Sequence, residues 1–351
     1  MAGPLSGIRI VELAGIGPGP FCGMMLADHG AEVIRIDRLA PGGDPGGPVA
    51  RNTRDPLLRS RTNMALDLKS PDDIARLREL LKTADGLIEG FRPGVIERLG
   101  IGPDVLLADN PKLVIGRMTG WGQTGPYAPT AGHDINYIAL SGVLGALGRA
   151  GEKPTPPINL VGDFGGGAMM LAFGMVSALL GVKNGAPGQV IDCAMTDGSA
   201  LLMSMMWGFR ASGMWGDERG TNMLDTGAAY YDTYETADGK FVSIGSIEPQ
   251  FYALLRRTLG IDSDPLFDAQ HDRTQWPAQK ARLTEIFKSR TRDAWCALME
   301  GTDICFAPVL DWAEVADHPH NKERGTFIEV NGVTQPAPAP RYSATPCDPP
   351  R

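Results

Sequence analysis

The sequence has little that would suit a zinc site, a disulfide framework or a nucleic-acid-binding surface. Its five cysteines are scattered and odd in number, and none belongs to a C-x-x-C pair. This pattern argues against a metal site and is typical of a reducing compartment. Acidic residues outnumber basic ones by 41 to 33, giving a net charge of −8, so no nucleic-acid partner is expected. An anionic ligand would need locally placed arginines and lysines.

Targeting signals are also missing. The first residues contain glycine, proline and serine instead of an apolar run, and the last four do not form a peroxisomal tripeptide. A cytoplasmic location is therefore expected. Residues 164–182 carry no charge and are long enough to span a membrane. However, this stretch contains five glycines and no basic cluster at its start, which favours a buried helix and no membrane partner.

The remaining pattern predicts an α/β protein. Hydrophobic residues make up 43% of the chain and charged residues 21%, as in ordinary globular proteins. Strands alternate with helices, which indicates a parallel, Rossmann-like sheet. The predicted strands are residues 8–13, 32–37, 63–69, 86–89, 113–118 and 188–192.

A second, smaller α+β domain is predicted after this alternation ends. A linker helix and loop span residues 196–224, and a hairpin at 231–244 opens the small domain at 225–310. A return linker at 311–317 leads to residues 318–351, which are expected to rejoin the large domain of residues 1–195.

The first strand is followed by a glycine-rich turn that suggests a dinucleotide site. Gly15 and Gly17 match the first two glycines of the G-x-G-x-x-G motif. The third glycine position is Pro20, and Pro18 and Pro20 lack the N–H groups that would hold a pyrophosphate. The turn therefore predicts a strand–helix–strand unit but argues against NAD.

Two titratable side chains stand at predicted helix starts. His133 precedes an apolar segment at 134–140, and Asp163 is expected to cap the uncharged run that follows it. Helix starts offer unpaired backbone N–H groups that hold developing negative charge. A base, an acid and such an anion site suffice to remove a proton beside a carbonyl. A surface histidine and a simple helix cap would equally explain the two residues.

Four segments carry a family resemblance: GHDINY at 132–137, VGDFGGG at 161–167, NMLD at 222–225 and GSIEPQFY at 245–252. They resemble the alpha-methylacyl-CoA racemase branch of the family III CoA-transferases. The resemblance implies an interlocked homodimer and no cofactor beyond the CoA of the substrate. It implies that His133, oriented by Glu248, takes the 2S proton and that Asp163 takes the 2R proton.

The same resemblance implies which residues bind the substrate. CoA carries several phosphate charges, so basic groups must converge on it in a net-acidic protein. The 41–48 loop departs from the family pattern, and the identity of the acyl chain stays open. The implied CoA- and substrate-binding residues are Arg38, Leu66, Asp67, Leu68, Lys69, Gly90, Phe91, Arg92, Arg98, Gly132, Asp134, Ile135, Asn136 and Tyr137.

The implied reaction interconverts the 2R and 2S epimers of 2-methylacyl-CoA thioesters by proton transfer through an enolate. The alternative is a family III CoA transferase with Asp163 as the acyl nucleophile, a route that needs no second base. A non-catalytic CoA-binding protein would leave His133, Asp163 and Glu248 without a role. One difficulty concerns Asp163, because a helix N-terminus favours a charged carboxylate and so opposes its action as an acid.

Overall fold

The computed structural model describes residues 2–39 and 54–351, which form two compact units. The first unit comprises Met1–Val143, Pro157–Ser204 and Arg324–Arg351, and the second comprises Leu144–Pro156 and Met205–Glu323. The chain therefore leaves the first unit twice before its C-terminal residues return to it. The 41–48 loop lies outside the described residues.

A six-stranded parallel sheet forms the centre of the first unit. All six predicted strands are present, which confirms the α/β class. The strand order is β3-β2-β1-β4-β5-β6, so the direction of winding reverses between β1 and β4 and leaves a crevice at the carboxyl ends of these strands. The strands are β1 Arg9–Leu13, β2 Glu32–Arg38, β3 Thr62–Leu66, β4 Gly86–Glu89, β5 Val114–Thr119 and β6 Gln189–Ala194.

Helices cover both faces of this sheet. Ser70 begins α2 as its N-cap and accepts the N–H of Asp73, as serine does at helix starts. A π-helix, Leu160–Met169, continues directly into α7. The α-helices are α1 Pro18–Asp28, α2 Pro71–Leu81, α3 Val95–Arg98, α4 Pro103–Asp109, α5 Asp134–Leu140, α6 Val143–Ala146, α7 Met170–Lys183 and α8 Met195–Leu202, and a 3₁₀ turn spans Pro56–Leu58.

The π-helix and α7 together form the uncharged segment noted in the sequence. By length and composition, Leu160–Lys183 is apolar enough to cross a membrane, and 44% of its most apolar window is buried. Core helices of soluble proteins pass the same test. Leu171, Met175 and Leu179 of α7 belong to the buried core beside the sheet, so one side of the segment packs as a core helix.

A buried ionic cluster joins α1 to the sheet. Arg35 donates to Glu12 at 2.6 Å and to Asp37 at 3.0 Å, and Arg61 lies 3.1 Å from the other oxygen of Glu12. Burial raises the pKa of Glu12, and the two guanidinium groups oppose that effect. The helix approaches so closely that a Cβ on Gly23 would lie 2.2 Å from Glu12 Oε2.

The second unit is a three-stranded antiparallel sheet with helices packed on one face. The predicted hairpin is present, and buried Tyr252, Leu255, Leu283, Phe287 and Trp295 form the core beneath it. The predicted linker helix after residue 196 is instead two helices, α8 and α9 Ser204–Ala211. The other elements are β7 Tyr231–Glu235, β8 Phe241–Gly245, α10 Pro249–Leu259, a 3₁₀ turn Pro265–Phe267, α11 Trp276–Phe287, α12 Arg292–Met299, β9 Phe306–Val309 and α13 Pro319–Arg324.

The returning C-terminal segment adds a small hairpin to the first unit, with β10 Phe327–Val330 paired to β11 Val333–Pro336. Arg59 fastens it to α1. Its guanidinium donates to both carboxylate oxygens of Asp28 and to Oε1 of Gln335 on β11. All three side chains are buried.

Candidate active site

His133 lies immediately before α5, at its N-cap position, with an extended backbone. Its backbone N–H donates to Oδ1 of Asn136 at 3.1 Å, which closes the helix start. The imidazole itself is exposed. The helix predicted at 134–140 is found with those bounds, because Gly132 ends the preceding segment and the residues that follow are helix-compatible.

Tyr137 fixes the approach of the chain to His133. Its hydroxyl donates to the carbonyl oxygen of Gly132, and its ring packs edge-on against Trp121 at 4.8 Å between centroids. A Cβ on Gly132 would lie 2.7 Å from the tyrosine ring, so only glycine fits. Burial, followed by the charge of Asp163, raises the pKa of Tyr137. Contact of Gly132, Ile135 and Tyr137 with the substrate stays a prediction.

The expectation that Asp163 is a helix cap is wrong. Asn159 is the N-cap, and Asp163 lies inside the first turn of the π-helix. The sequence does not reveal this wider turn, because the residues around Asp163 are uniformly apolar or glycine. Tertiary packing explains it better, since a Cβ on Gly166 would lie 2.5 Å from the backbone of Ser199 on α8. Such π-helical turns concentrate at functional sites.

Asp163 is held by groups from two other segments. The side-chain amide of Asn159 donates to its Oδ2 at 3.0 Å, and its own backbone N–H donates to Oδ2 of Asp134 at 2.7 Å. Gly17, just before α1, would place a Cβ 3.3 Å from the same carboxylate. The side chain of Asp163 is thus confined by the π-helix, α5 and the β1–α1 turn.

The pKa of Asp163 is raised from its ordinary value. Burial is the largest cause, and the negative charge of Asp134 adds to it. The hydrogen bond from Asn159 and the charge of His133 act in the opposite direction. Desolvation therefore acts against the effect of a helix N-terminus, because it favours the protonated form that an acid requires.

Asn159 is a functional candidate that the sequence did not reveal. It lies four residues before Asp163, a spacing at which side chains on a helix meet. The residue before it, Ile158, is exposed and has φ of 57°, a left-handed conformation that a β-branched side chain rarely adopts. Strain of this kind concentrates at functional sites. The i, i+4 spacing of an amide and a carboxylate was the available signal.

The CoA-binding residues predicted at the strand ends line one cavity of about 250 Å³. It lies at the carboxyl ends of β1, β2 and β3, where open parallel sheets bind ligands. Gly90 and Arg92 flank Phe91, and Arg98 precedes Leu99, but these three do not line the cavity. Its lining consists of Arg38, Leu66, Asp67, Leu68, Lys69 and Phe91 from the prediction, with Ala14, Ile36, Asp37 and Leu99 in addition.

Four exposed cations line this cavity or stand next to its lining residues in the chain, and they differ from several arginines elsewhere in the first unit. Arg78, for example, is paired with Asp109 at 2.7 Å. Within the part of the chain that the structure describes, Arg38, Lys69, Arg92 and Arg98 form no ion pair with a carboxylate, and all four side chains are exposed. Positive charge is therefore available to an anionic ligand at this edge of the sheet.

Glu248 belongs to the second unit. It is the residue before α10, with Pro249 at the first helical position, and its side chain is exposed. Its pairing with His133 stays a prediction. Within residues 2–39 and 54–351, no group of three or more His, Cys, Asp or Glu side chains is arranged to hold a metal ion.

Comparison with known proteins places these features in a family. The profile of CoA-transferase family III matches residues 5–351. The chain is 48% identical to "Alpha-methylacyl-CoA racemase" of Mus musculus, over 98% of this chain and 88% of that protein. It is 31% identical to "Succinyl-CoA--D-citramalate CoA-transferase" of Chloroflexus aurantiacus, over 98% and 89%. A CAIB/BAIF family protein from Brucella suis superposes with a TM-score of 0.81 at 27% identity, over 99% and 95% of the two chains.

Proposed function

The chain belongs to CoA-transferase family III, and from this membership we propose that it is an isomerase that interconverts 2R and 2S 2-methylacyl-CoA thioesters. The family predicted from the four sequence segments is confirmed. The observation that carries the proposal is the 48% identity to a named racemase, compared with 31% to a named CoA-transferase. No separate cofactor is required, because CoA is part of the substrate.

The two bases would act on opposite faces of the α-carbon. The α-proton of a thioester is weakly acidic, so the enzyme must stabilise an enolate and hold a base within reach of each face. His133 removes the 2S proton and Asp163 removes the 2R proton, each returning a proton in the opposite direction. Each base contributes about 10²–10⁴-fold, and an oxyanion donor, for which the backbone N–H of Asp134 is the candidate, about 3 kcal/mol.

The surroundings of Asp163 support its role as an acid. Burial and the nearby charge of Asp134 raise its pKa, so a larger fraction of the carboxyl carries the proton that it must return. The ionised form is needed as well, because Asp163 takes the 2R proton in the other direction of the reaction. A raised pKa suits a carboxyl that alternates between these two forms, and the choice of the racemase over the transferase rests on the identity comparison.

The CoA part of the substrate is proposed to bind at the strand ends. The 250 Å³ cavity lined by Arg38, Phe91 and residues 66–69 offers a partly apolar site for the adenine. The unpaired cations Arg92 and Arg98 stand beside it, where phosphates gain charge-assisted hydrogen bonds. A net-acidic protein binds an anionic ligand only where such groups converge.

We further propose a cytoplasmic homodimer in which Glu248 orients His133. The family resemblance implies that each small domain closes the site of the partner subunit. An exposed imidazole needs a carboxylate partner to hold its tautomer and to stabilise the imidazolium that forms when it takes a proton. Glu248, exposed before α10, is the residue that the resemblance assigns to this task.

Incubation of each epimer in heavy water tests the reaction. Wild-type protein is expected to place deuterium at the α-carbon and to form the other epimer. Asp163→Asn should abolish inversion but still exchange the α-proton of the 2S epimer through His133, and His133→Ala should do the reverse. If wild-type protein shows no α-exchange and instead moves CoA to added carboxylic acids, the transferase alternative holds.

A further inference from the structure

Asp134 is a buried acid whose carboxylate is turned away from solvent. Only 5% of the residue is exposed, and its Oδ2 accepts the backbone N–H of Asp163 at 2.7 Å. The contact is close enough that a Cβ on Gly162 would lie 2.4 Å from this oxygen. Within the described residues the other oxygen, Oδ1, is buried without a hydrogen-bond partner. Such a group is costly and calls for a function.

The position of Asp134 in the chain suggests that function. It is the first residue of α5 and follows His133 directly, while its side chain reaches the π-helix at Asp163, 29 residues further along the chain. One short residue therefore links the starts of the two elements that carry the proposed bases. The buried carboxylate is poorly placed to touch substrate, whereas the backbone N–H of Asp134 remains the candidate oxyanion donor.

We propose that the carboxylate of Asp134 is a positioning residue, which fixes Asp163 relative to His133 and holds negative charge beside the carboxyl of Asp163. The inference rests on the proposed racemase function and extends it. General bases on two faces of one carbon need a defined separation, and misplacement by about 1 Å can cost about 10²-fold in rate. The hydrogen bond from the backbone N–H of Asp163 to Asp134, the residue that follows His133, sets this separation.

Asp134 also differs in charge from the other groups that face Asp163. From α5 these are His133, Asp134 and Tyr137, from the π-helix Asn159, and from the β1–α1 turn Gly17. Asp134 is the one acid among them. Its negative charge disfavours a second negative charge at Asp163, in the same direction as burial, so it favours the form of Asp163 that donates a proton.

Two substitutions separate the geometric contribution from the charge. Asp134→Asn retains a side-chain oxygen for the N–H of Asp163 but removes the charge, so the pKa of Asp163 should fall. We expect kcat to fall roughly tenfold in both directions with KM unchanged, and the limb of the bell-shaped pH–rate profile that belongs to Asp163 to move to lower pH. Asp134→Ala removes the acceptor as well and should lower kcat about 10²-fold.

The measurement is the pH dependence of epimerisation and of α-deuterium exchange. The limb belonging to Asp163 is the one that disappears from the exchange profile of Asp163→Asn. Asp85→Asn is the matched control, because Asp85 accepts the N–H of Arg9 at 2.8 Å elsewhere in the first unit, and it should leave both limbs in place.

Two results would overturn the proposal. One is a shared loss of kcat in Asp134→Asn and Asp134→Ala with both limbs unmoved, which would indicate a purely structural role. The other is wild-type behaviour of Asp134→Asn. If Asp134→Ala does not fold, the shift of the Asp163 limb in the pH–rate profile of Asp134→Asn still tests the proposal. Absence of α-exchange in wild-type protein would instead contradict the proposed function.

Discussion

Asp163 stands between groups that shift its pKa in opposite directions. Burial and Asp134 raise the pKa, whereas the hydrogen bond from Asn159 and the charge of His133 lower it. A proton-transfer catalyst gains from this balance, because the same carboxyl must accept a proton in one direction of the reaction and donate it in the other. The sequence showed two acids and a histidine but not how their effects combine.

Replacing Asn159 should therefore move the pH profile in the direction opposite to Asp134→Asn. Asn159→Ala removes a hydrogen bond to the ionised form, so the pKa of Asp163 should rise and its limb should move to higher pH. We expect kcat to fall about tenfold because the carboxyl is less well oriented. Asn159→Asp adds a like charge and should move the limb further upward. Unmoved limbs in both variants would contradict this assignment.

At the scale of single elements, local sequence signals predicted several helices and strands of the fold. Residues 86–89 and 134–140 were predicted with the bounds that the structure shows, because a glycine marks the start of each pattern. The π-helix at Leu160–Met169 was not predictable, since it depends on close packing of Gly166 against α8. Ala14, Ile36 and Leu99 reach the 250 Å³ cavity from distant parts of the chain, and their apolar side chains carry no local signal of ligand binding.

Substitution of Gly23 in α1 tests how tightly this helix packs against Glu12 of the sheet. Alanine in a helix interior normally stabilises relative to glycine by about 0.5–1 kcal/mol. Here a Cβ would lie 2.2 Å from Glu12 Oε2, within the buried ionic cluster, so Gly23→Ala should lower the free energy of unfolding by about 1–3 kcal/mol. Gly181→Ala in α7 is the control, because its Cβ would meet nothing closer than 3.8 Å.

Urea denaturation of the two variants provides the comparison. Gly181→Ala should be as stable as wild type or slightly more so, and Gly23→Ala should unfold at a lower midpoint with an unchanged slope. Equal midpoints would mean that α1 shifts away from Glu12 without cost, and the close approach would then not constrain the helix.

At the scale of the whole molecule, one side of the long apolar segment is left uncovered. Met169, Phe173, Val176 and Leu180 are between 40% and 73% exposed, and their spacing of four, three and four residues places them on one helix face. Monomeric proteins rarely expose such a contiguous apolar stripe. Its presence on an otherwise core-packed helix supports the proposed homodimer, because a two-fold interface buries the same patch of both subunits.

Substitution on this stripe should dissociate the dimer and remove activity together. Phe173→Asp and Leu180→Asp place a charge where the partner would bury apolar surface, so sedimentation equilibrium should shift toward the monomer. Activity should fall with it, because the proposed site takes Glu248 from the partner subunit, and should recover partly at high protein concentration. Leu298→Asp, at an exposed apolar position on α12, is the control and should leave both properties unchanged. A fully active wild-type monomer would contradict the interlocked arrangement.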